Sequence, residues 1–190
     1  DGIVRQFIEY ARPIGQAIER VSVAQAVAQL QRSYGREIDE RRLRLQSRVD
    51  PGLVWHGDET MLERILGNLV ENAVKYGHHP GRPTRVEIFG RKRGQELHLI
   101  VRDHGPGVPA DAINRLMRPF ARLDPSRAGV GGSGLGLAVV ARLARRVGGE
   151  LKLENAPGGG LMASVMLLDQ SVVRAPRVPE RRQRARERLI

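Results

Sequence analysis

The chain has 190 residues, of which 41% are hydrophobic and none is cysteine, and a net charge of +11 from 32 basic and 21 acidic side chains. This supports one globular domain with a proper core and excludes wholesale disorder; without cysteine, disulfides and cysteine-ligated zinc are excluded and a reducing compartment fits. No apolar run approaches the roughly 18–20 residues of a membrane span and no signal-peptide pattern opens the sequence, so the segment itself reads as soluble, whatever anchors its parent.

The basic excess invites a nucleic-acid or membrane-surface reading. Its position argues otherwise, because the last twenty residues hold seven Arg against two Glu and so carry nearly half of it. Few aromatics accompany the basic residues, so no platform for stacking bases is evident and no nucleic-acid partner is expected.

In chain order, Ile3, Val4, Phe7, Ile8 and Ala11 recur at the spacing of one helical face, and Pro13 ends that helix at residue 12. It begins without a cap, as the end of a longer helix would. Residues 13–21 read as a linker. Ser22 with Gln25 forms a capping-box pattern for a helix burying Val23, Ala26, Val27 and Leu30. Arg42 to Val49 alternates and Leu53 to His56 is a short apolar run, two strands parted by the turn Asp50-Pro51-Gly52. Asp58 caps a long helix to Tyr76, stopped by Gly77, with Leu62, Ile65, Leu66, Leu69, Ala73 and Val74 on its core face.

Thr84 to Arg93 and Gln95 to Asp103 alternate on either side of Arg93-Gly94, a hairpin pattern. Asp111 is positioned to cap a short helix through Met117. Residues 118–132 are rich in Gly, Pro, Arg and Ser and read as a mobile loop. Ser133 to Val147 reads as a helix closed by Gly148-Gly149, and Glu150 to Glu154 with Leu161 to Leu168 as a last strand pair around Pro157-Gly158-Gly159-Gly160. Residues 169–190 read as a basic, disordered tail, with contact to an anionic surface as the alternative. The element order predicts an α/β two-layer sandwich: a mixed, mostly antiparallel sheet covered by about three helices.

Four segments carry chemistry. On the long helix, Asn68 and Asn72 lie one turn apart on one face and Lys75 stands close to the same stripe. Asparagine is a mediocre helix former, so two of them opposite an apolar stripe are either solvated or hold something. A side-chain carbonyl suits Mg²⁺ and Lys75 suits a phosphate. Second, Asp103-His104-Gly105-Pro106-Gly107-Val108 follows a strand. It is either an ordinary Gly-Pro turn or a place where the backbone approaches a planar ligand while the acid accepts from an amino group such as that of adenine. Third, Phe120 is an apolar anchor in Arg118-Pro119-Phe120-Ala121-Arg122-Leu123-Asp124, and Arg122 and Arg127 are either solvated or reach phosphates when the loop closes. Fourth, Gly129 to Leu137 (GVGGSGLGL) runs into a helix as a phosphate cradle would, without the Gly-Lys-Ser/Thr of a P-loop or the strand-led dinucleotide pattern.

In order and spacing these segments resemble the N, G1, F and G2 boxes of histidine kinases in the GHKL ATP-binding superfamily, over roughly residues 35–168. Residues 3–12, Arg118-Pro119-Phe120 and Gly132-Ser133-Gly134-Leu135-Gly136-Leu137 resemble EnvZ-type osmosensor kinases, and residues 1–12 look like the end of their second dimerisation helix. The resemblance implies the GHKL fold over 22–168, with ATP and Mg²⁺ as ligands. It implies Asn72 as the Mg²⁺ ligand, Asn68 near the phosphates, Lys75 on a phosphate and Tyr76 against the nucleotide. Asp103 would take the adenine amino group, with Gly105, Gly107 and Val108 in the pocket wall. Phe120, Arg122 and Arg127 would belong to the lid, and Gly132, Ser133, Gly134, Leu135, Gly136 and Leu137 to the lid's end and helix start at the phosphates.

The family's phospho-accepting histidine lies on a first dimerisation helix. None of the five histidines, His56, His78, His79, His98 and His104, has that context. The resemblance therefore implies a catalytic domain whose acceptor lies on a histidine-bearing dimerisation domain, a homodimer in the parent, with a response regulator receiver domain downstream. The parent would sit in the bacterial inner membrane with this domain in the cytoplasm. Gyrase-, Hsp90- and MutL-type ATPases of the superfamily carry a water-activating glutamate where this chain has Asn68, which cannot act as a general base. The alternative is a GHKL-type ATPase or ATP-gated conformational module.

Overall fold

Alternation along Glu96–Asp103 buries Leu97, Leu99, Val101 and Asp103 and leaves His98, Ile100 and Arg102 on the other face, the period-2 signature of a strand covered on one side. A computed structural model describes residues 17–121 and 133–172. Its elements are β1 (Glu19–Ser22), α1 (Val23–Ser33), α2 (Gly35–Asp39), β2 (Leu43–Val49), β3 (Val54–Gly57), α3 (Glu59–Tyr76), β4 (Thr84–Arg93), β5 (Glu96–Asp103), α4 (Gly136–Arg146), β6 (Glu150–Asn155), β7 (Leu161–Leu168) and a 3₁₀ turn (Gln170–Val172).

The strands form a five-stranded sheet in the order β2-β4-β5-β7-β6 and a two-stranded sheet of β1 and β3. Only β2 and β4 run parallel; β4–β5, β5–β7 and β6–β7 are antiparallel. One long helix, α3, packs between α1 and α4 and reaches β4 and β5. Its buried stripe of Met61, Leu62, Ile65, Leu66, Leu69, Val70 and Ala73 meets Val86, Ile88, Leu97, Leu99 and Val165 in a single core. Each fully buried Leu or Ile of that stripe contributes about 1.5–3 kcal/mol, so α3 is anchored by packing and its polar face is left for other work. The two-layer sandwich, the mostly antiparallel sheet and three covering helices, α1, α3 and α4, appear as the sequence predicts.

The caps follow the sequence too. Ser22 Oγ accepts from the Gln25 amide at 3.3 Å and Asp58 Oδ1 from the Met61 amide at 3.0 Å. Asp50 Oδ1 closes its turn on the Gly52 amide at 2.7 Å.

Several expectations need correction. Residues 19–22, inside the expected linker and its boundary, form β1, paired with β3 from Glu19↔Gly57 to Ser22↔Val54. A four-residue strand with Val21 alone buried has too short a pattern to read. Likewise α2 has no buried residue to mark it. The β4–β5 hairpin turns on Gly94-Gln95, since Arg93 still pairs with Glu96. The segment after Asp111 forms successive turns, with Ala112 N–H to Pro109 O at 2.9 Å and Arg115 N–H to Ala112 O at 3.0 Å, and not a helix. Ala112 is buried and Ile113, Leu116 and Met117 pack half-buried against the core, so the segment is anchored as turns. The last helix begins at Gly136, three residues later than read. Asp169 to Val172, assigned to the tail by composition, belong to the folded body: Asp169 is 3% exposed. The expected helix over 1–12, residues 122–132 of the expected loop and residues 173–190 lie outside the described residues.

The strand directions give the sheet two ends. At one, β5 finishes at Asp103 where β7 begins; at the other, β5 begins at Glu96 opposite Leu168.

Candidate functional site

The predicted residues gather at the Asp103 end. Helix α3 ends there, and its C-terminus lies against the loop after β5. A Cβ on Gly77 would come within 2.6 Å of Asp103 Cβ, and one on Gly105 within 2.6 Å of Gly77 Cα and 2.9 Å of Tyr76 O. These two positions are glycine because backbone meets backbone. Gly77 stops the helix at φ −81°, so its role is this close approach and not the left-handed turn its position suggested.

Asp103 is 6% exposed. Its Oδ1 accepts the amides of Gly105 at 2.8 Å and Leu161 at 3.1 Å. Both bonds fall on Oδ1. The loop behind it is braced by Asn155, whose Oδ1 accepts from the Val108 amide at 2.9 Å and whose Nδ2 donates to Val108 O at 2.7 Å.

One face of α3 carries Asn68 and Asn72, both half-buried, and the start of α4 comes to meet them. A Cβ on Gly136 would lie 3.0 Å from Asn68 Oδ1 and 3.0 Å from Asn72 Nδ2. Asn68 Nδ2 donates to Arg64 O at 2.7 Å, which turns its Oδ1 outward toward Gly136. No side chain caps the α4 N-terminus and no acid stands in its first turn. Only Ser133 Oγ, accepting from Leu135 N–H at 3.2 Å, closes the turn ahead of it. First-turn amides with the positive end of the helix dipole favour an anion. Leu135 itself is 2% exposed and Leu137 half-buried against the core, so the backbone of this segment, not its leucines, faces outward.

Tyr76 is 49% exposed, with Lys75 Nζ 5.6 Å from its ring centroid. Phe120, 58% exposed, holds φ at +63°, a conformation that costs a bulky residue about 1–3 kcal/mol. The bond from Phe120 N–H to Gly134 O at 3.0 Å ties the start of the expected lid to its end. Of the predicted lid residues, Arg122, Arg127 and Gly132 lie outside the described residues. Asn68, Asn72, Lys75, Tyr76, Asp103, Gly105, Gly107, Val108, Phe120, Ser133, Gly134 and Gly136 are all placed at this one end of the domain.

Two further groups at this end escaped the sequence reading. Asn155 drew no reading from the sequence; its only signal there is an Asn closing a strand before Pro157-Gly158. Glu87, 7% exposed on β4, is hydrogen-bonded to His104 Nε2 at 2.7 Å and accepts from Arg85 Nη2 at 3.0 Å. The His104 hydrogen bond holds the Glu87 carboxyl below its ordinary range, assisted by Arg85 and partly opposed by burial. An acid facing outward on a strand gives no sequence hint of such a partner seventeen residues away.

A buried carboxylate beside an α3 terminus, and two asparagines facing an uncapped helix start, can hold an amino-bearing planar group at one side and an anion at the other. Residues 57–171 match the family of histidine kinase-, DNA gyrase B- and HSP90-like ATPases. Signal transduction histidine-protein kinase AfsQ2 of Streptomyces coelicolor is 39% identical over 110 residues, covering 58% of this chain and 20% of its own length. Sensor protein RstB of Escherichia coli K12 is 39% identical over 104 residues, covering 54% of this chain and 23% of its own. The structure of full-length ShkA in complex with AMPPNP superposes with a TM-score of 0.74 at 25% identity, over 87% of this chain and 35% of that one. The chain thus spans between about a fifth and a third of the length of these three proteins. It belongs to the family of histidine kinase-, DNA gyrase B- and HSP90-like ATPases.

Proposed function

We propose that this chain is the ATP-binding catalytic domain of a two-component sensor histidine kinase, which donates the ATP γ-phosphate to a histidine on a dimerisation domain for relay to a response regulator. The observation that carries this reading is the meeting of Asn68 and Asn72 with the uncapped start of α4 across Gly136, at the same end of the sheet as the buried Asp103. The comparisons support it, since the relatives are named sensor and histidine kinases.

ATP fits the residues present. Asp103 Oδ2 stands open to the adenine amino group while Oδ1 is occupied by backbone amides. Tyr76 offers its exposed ring to the nucleoside, Gly107 and Val108 form the wall behind it, and the α4 amides with Lys75 receive the phosphates. Mg²⁺ would be held by the Asn72 side-chain carbonyl together with phosphate oxygens, and when bound it supplies charge neutralisation for phosphoryl transfer. Asn68 places an amide where the hydrolases of this family resemble one another in carrying glutamate, and Glu71 is exposed, away from that face. Nothing on the helix is then positioned to deprotonate water, and the phosphoryl group is kept for an imidazole. Phe120, Arg122 and Arg127 would close over the phosphates as a lid. The parent protein would sit at the bacterial inner membrane with this domain on the cytoplasmic side; no described helix is long and apolar enough to cross a membrane.

Mixing this chain with labelled Mg·ATP and a separate histidine-bearing dimerisation domain tests the reading. Labelling of that histidine, lost by about 100-fold or more in Asn72→Ala, is the expected result. Fast turnover without any acceptor would make the chain an ATPase instead, and normal transfer by Asn72→Ala would remove Asn72 from the site.

A further inference from the structure

The loop 103–108 is gripped from outside by the turn between β6 and β7. Strand β5 ends at Asp103 and β6 at Asn155, so no backbone ladder reaches Val108. The Asn155 side chain takes the place of that missing rung. Its Oδ1 accepts the Val108 N–H at 2.9 Å and its Nδ2 donates to Val108 O at 2.7 Å. A planar amide with one acceptor and one donor matches the N–H and C=O of a single residue. Two more contacts fix the turn and the start of β7 to the end of β5, where the loop begins. Arg102 Nη2 donates to Pro157 O at 2.9 Å, and Leu161 N–H donates to Asp103 Oδ1 at 3.1 Å. The backbones are so close that a Cβ on Gly160 would lie 2.0 Å from Asp103 O.

Asn155 is itself exposed and packs no side chain into the core. Its two hydrogen bonds both go to a loop residue five positions beyond Asp103. A solvent-facing side chain spent wholly on holding a loop matters for what the loop holds more than for the fold.

We infer that Asn155 is a positioning residue for adenine recognition: by pairing with both backbone groups of Val108 it holds the Asp103–Val108 loop in the one conformation that presents Asp103 to the amino group of the base. This rests on the reading of Asp103 given above. The role is indirect, since Asn155 touches the loop and not the nucleotide. Aspartate at this position keeps the acceptor for Val108 N–H but sets an anionic oxygen against Val108 O, so charge and shape together require the amide.

Equilibrium titrations of the whole chain with Mg·ATP and with Mg·purine riboside triphosphate, which lacks the amino group, separate the possibilities. The wild type is expected to prefer ATP by about tenfold. Asn155→Ala and Asn155→Asp are each expected to lose about tenfold in ATP affinity, keep purine riboside triphosphate affinity within about twofold, and shift the thermal midpoint by no more than about 2 °C. Asn155→Ser, which retains one hydroxyl for the Val108 N–H, is expected to recover part of the preference. A wild type that binds both nucleotides equally overturns the reading of Asp103 and the inference with it. A wild-type preference that survives in Asn155→Ala overturns the inference alone. Equal loss of both nucleotides with a large fall in midpoint makes Asn155 a fold residue and overturns it as well.

Discussion

Asp169 and Asp103 are the two most buried carboxylates among the described residues, 3% and 6% exposed, and they stand at opposite ends of the same sheet. Their partners differ in kind. Asp169 meets Lys92 Nζ at 2.5 Å, Ser171 Oγ at 2.6 Å and N–H at 3.1 Å, and His56 Nδ1 at 3.2 Å. Burial alone would raise its pKa; the Lys92 ammonium, Ser171 and His56 outweigh that and hold it well below the ordinary carboxylate range. Around it Trp55 Nε1 donates to Leu168 O at 3.0 Å and Gln170 Nε2 to Val147 O at 3.2 Å, joining β3, β4, β7 and the end of α4. Asp103 has two backbone amides, both on one oxygen. The first acid is used up by the protein's own groups: the Lys92 ammonium, Ser171 and the His56 ring. The second keeps capacity for a ligand. Which of two buried acids serves the fold and which serves the site can be read from what answers their charge.

Replacing Asp169 breaks that division at its strongest point. Asp169→Ala removes the carboxylate from the Lys92 ammonium, which keeps its bond to Val54 O at 3.3 Å and, being 29% exposed, some water. The expected loss is about 3 kcal/mol, the low end for breaking a buried ion pair, measured as a lower urea midpoint at neutral pH. Nucleotide affinity of the folded variant should stay within about twofold of wild type. A variant that keeps its stability and loses nucleotide would reverse the roles of the two ends.

Gly136→Ala sharpens the other side. Its Cβ would lie 3.0 Å from both Asn68 Oδ1 and Asn72 Nδ2, so one asparagine must give by a few tenths of an ångström. Alanine is otherwise the better residue at a helix start, which offsets the crowding in the free protein. The expected outcome is unchanged or slightly raised stability with Mg·ATP affinity reduced about tenfold, read by calorimetric titration beside urea unfolding. Parallel loss of both would mean that Gly136 serves the packing of α4 on α3 and not the site.

How far these ends could be read in advance depended on the range of the interactions involved. Periods and caps gave α3, β4, β5, β6 and β7 nearly to the residue, because Asp58 and the alternating runs act locally. The glycines and asparagines of the candidate site stood out for the same reason: each sits in a contiguous segment whose chemistry is unusual for its element. What stayed hidden was contact between segments. Asn155 and Val108 are 47 residues apart and His56 and Asp169 are 113 apart. Neither residue of such a pair looks unusual until the sheet brings them together. Composition also misled at the C-terminal boundary, since Asp169 and Ser171 stand just before a run of arginines yet close the core.

The smallest expected effect lies between the two ends, at Glu87. Its carboxyl faces His104 and, across the strand pair, Arg102 from β5; Arg85 reaches it from its own strand, and Gln46 stands opposite on β2. Because its pKa is lowered in the folded chain, mainly by the His104 hydrogen bond, the folded state releases this proton more readily than the unfolded state. Its stabilisation is therefore complete above the ordinary glutamate value of about 4.3 and fades as pH falls through the lower folded value. Glu87→Gln should cost about 1 kcal/mol at pH 7, with the gap to wild type closing as pH falls below the ordinary glutamate range. Asp169 also loses its charge in acid, but both proteins carry it, so its contribution cancels in the difference. Urea unfolding of the pair at pH 7, 5 and 3 reads the gap directly. A gap that stays constant down to pH 3 would mean that Glu87 acts through shape or packing and that the His104 contact contributes no charge-dependent stability.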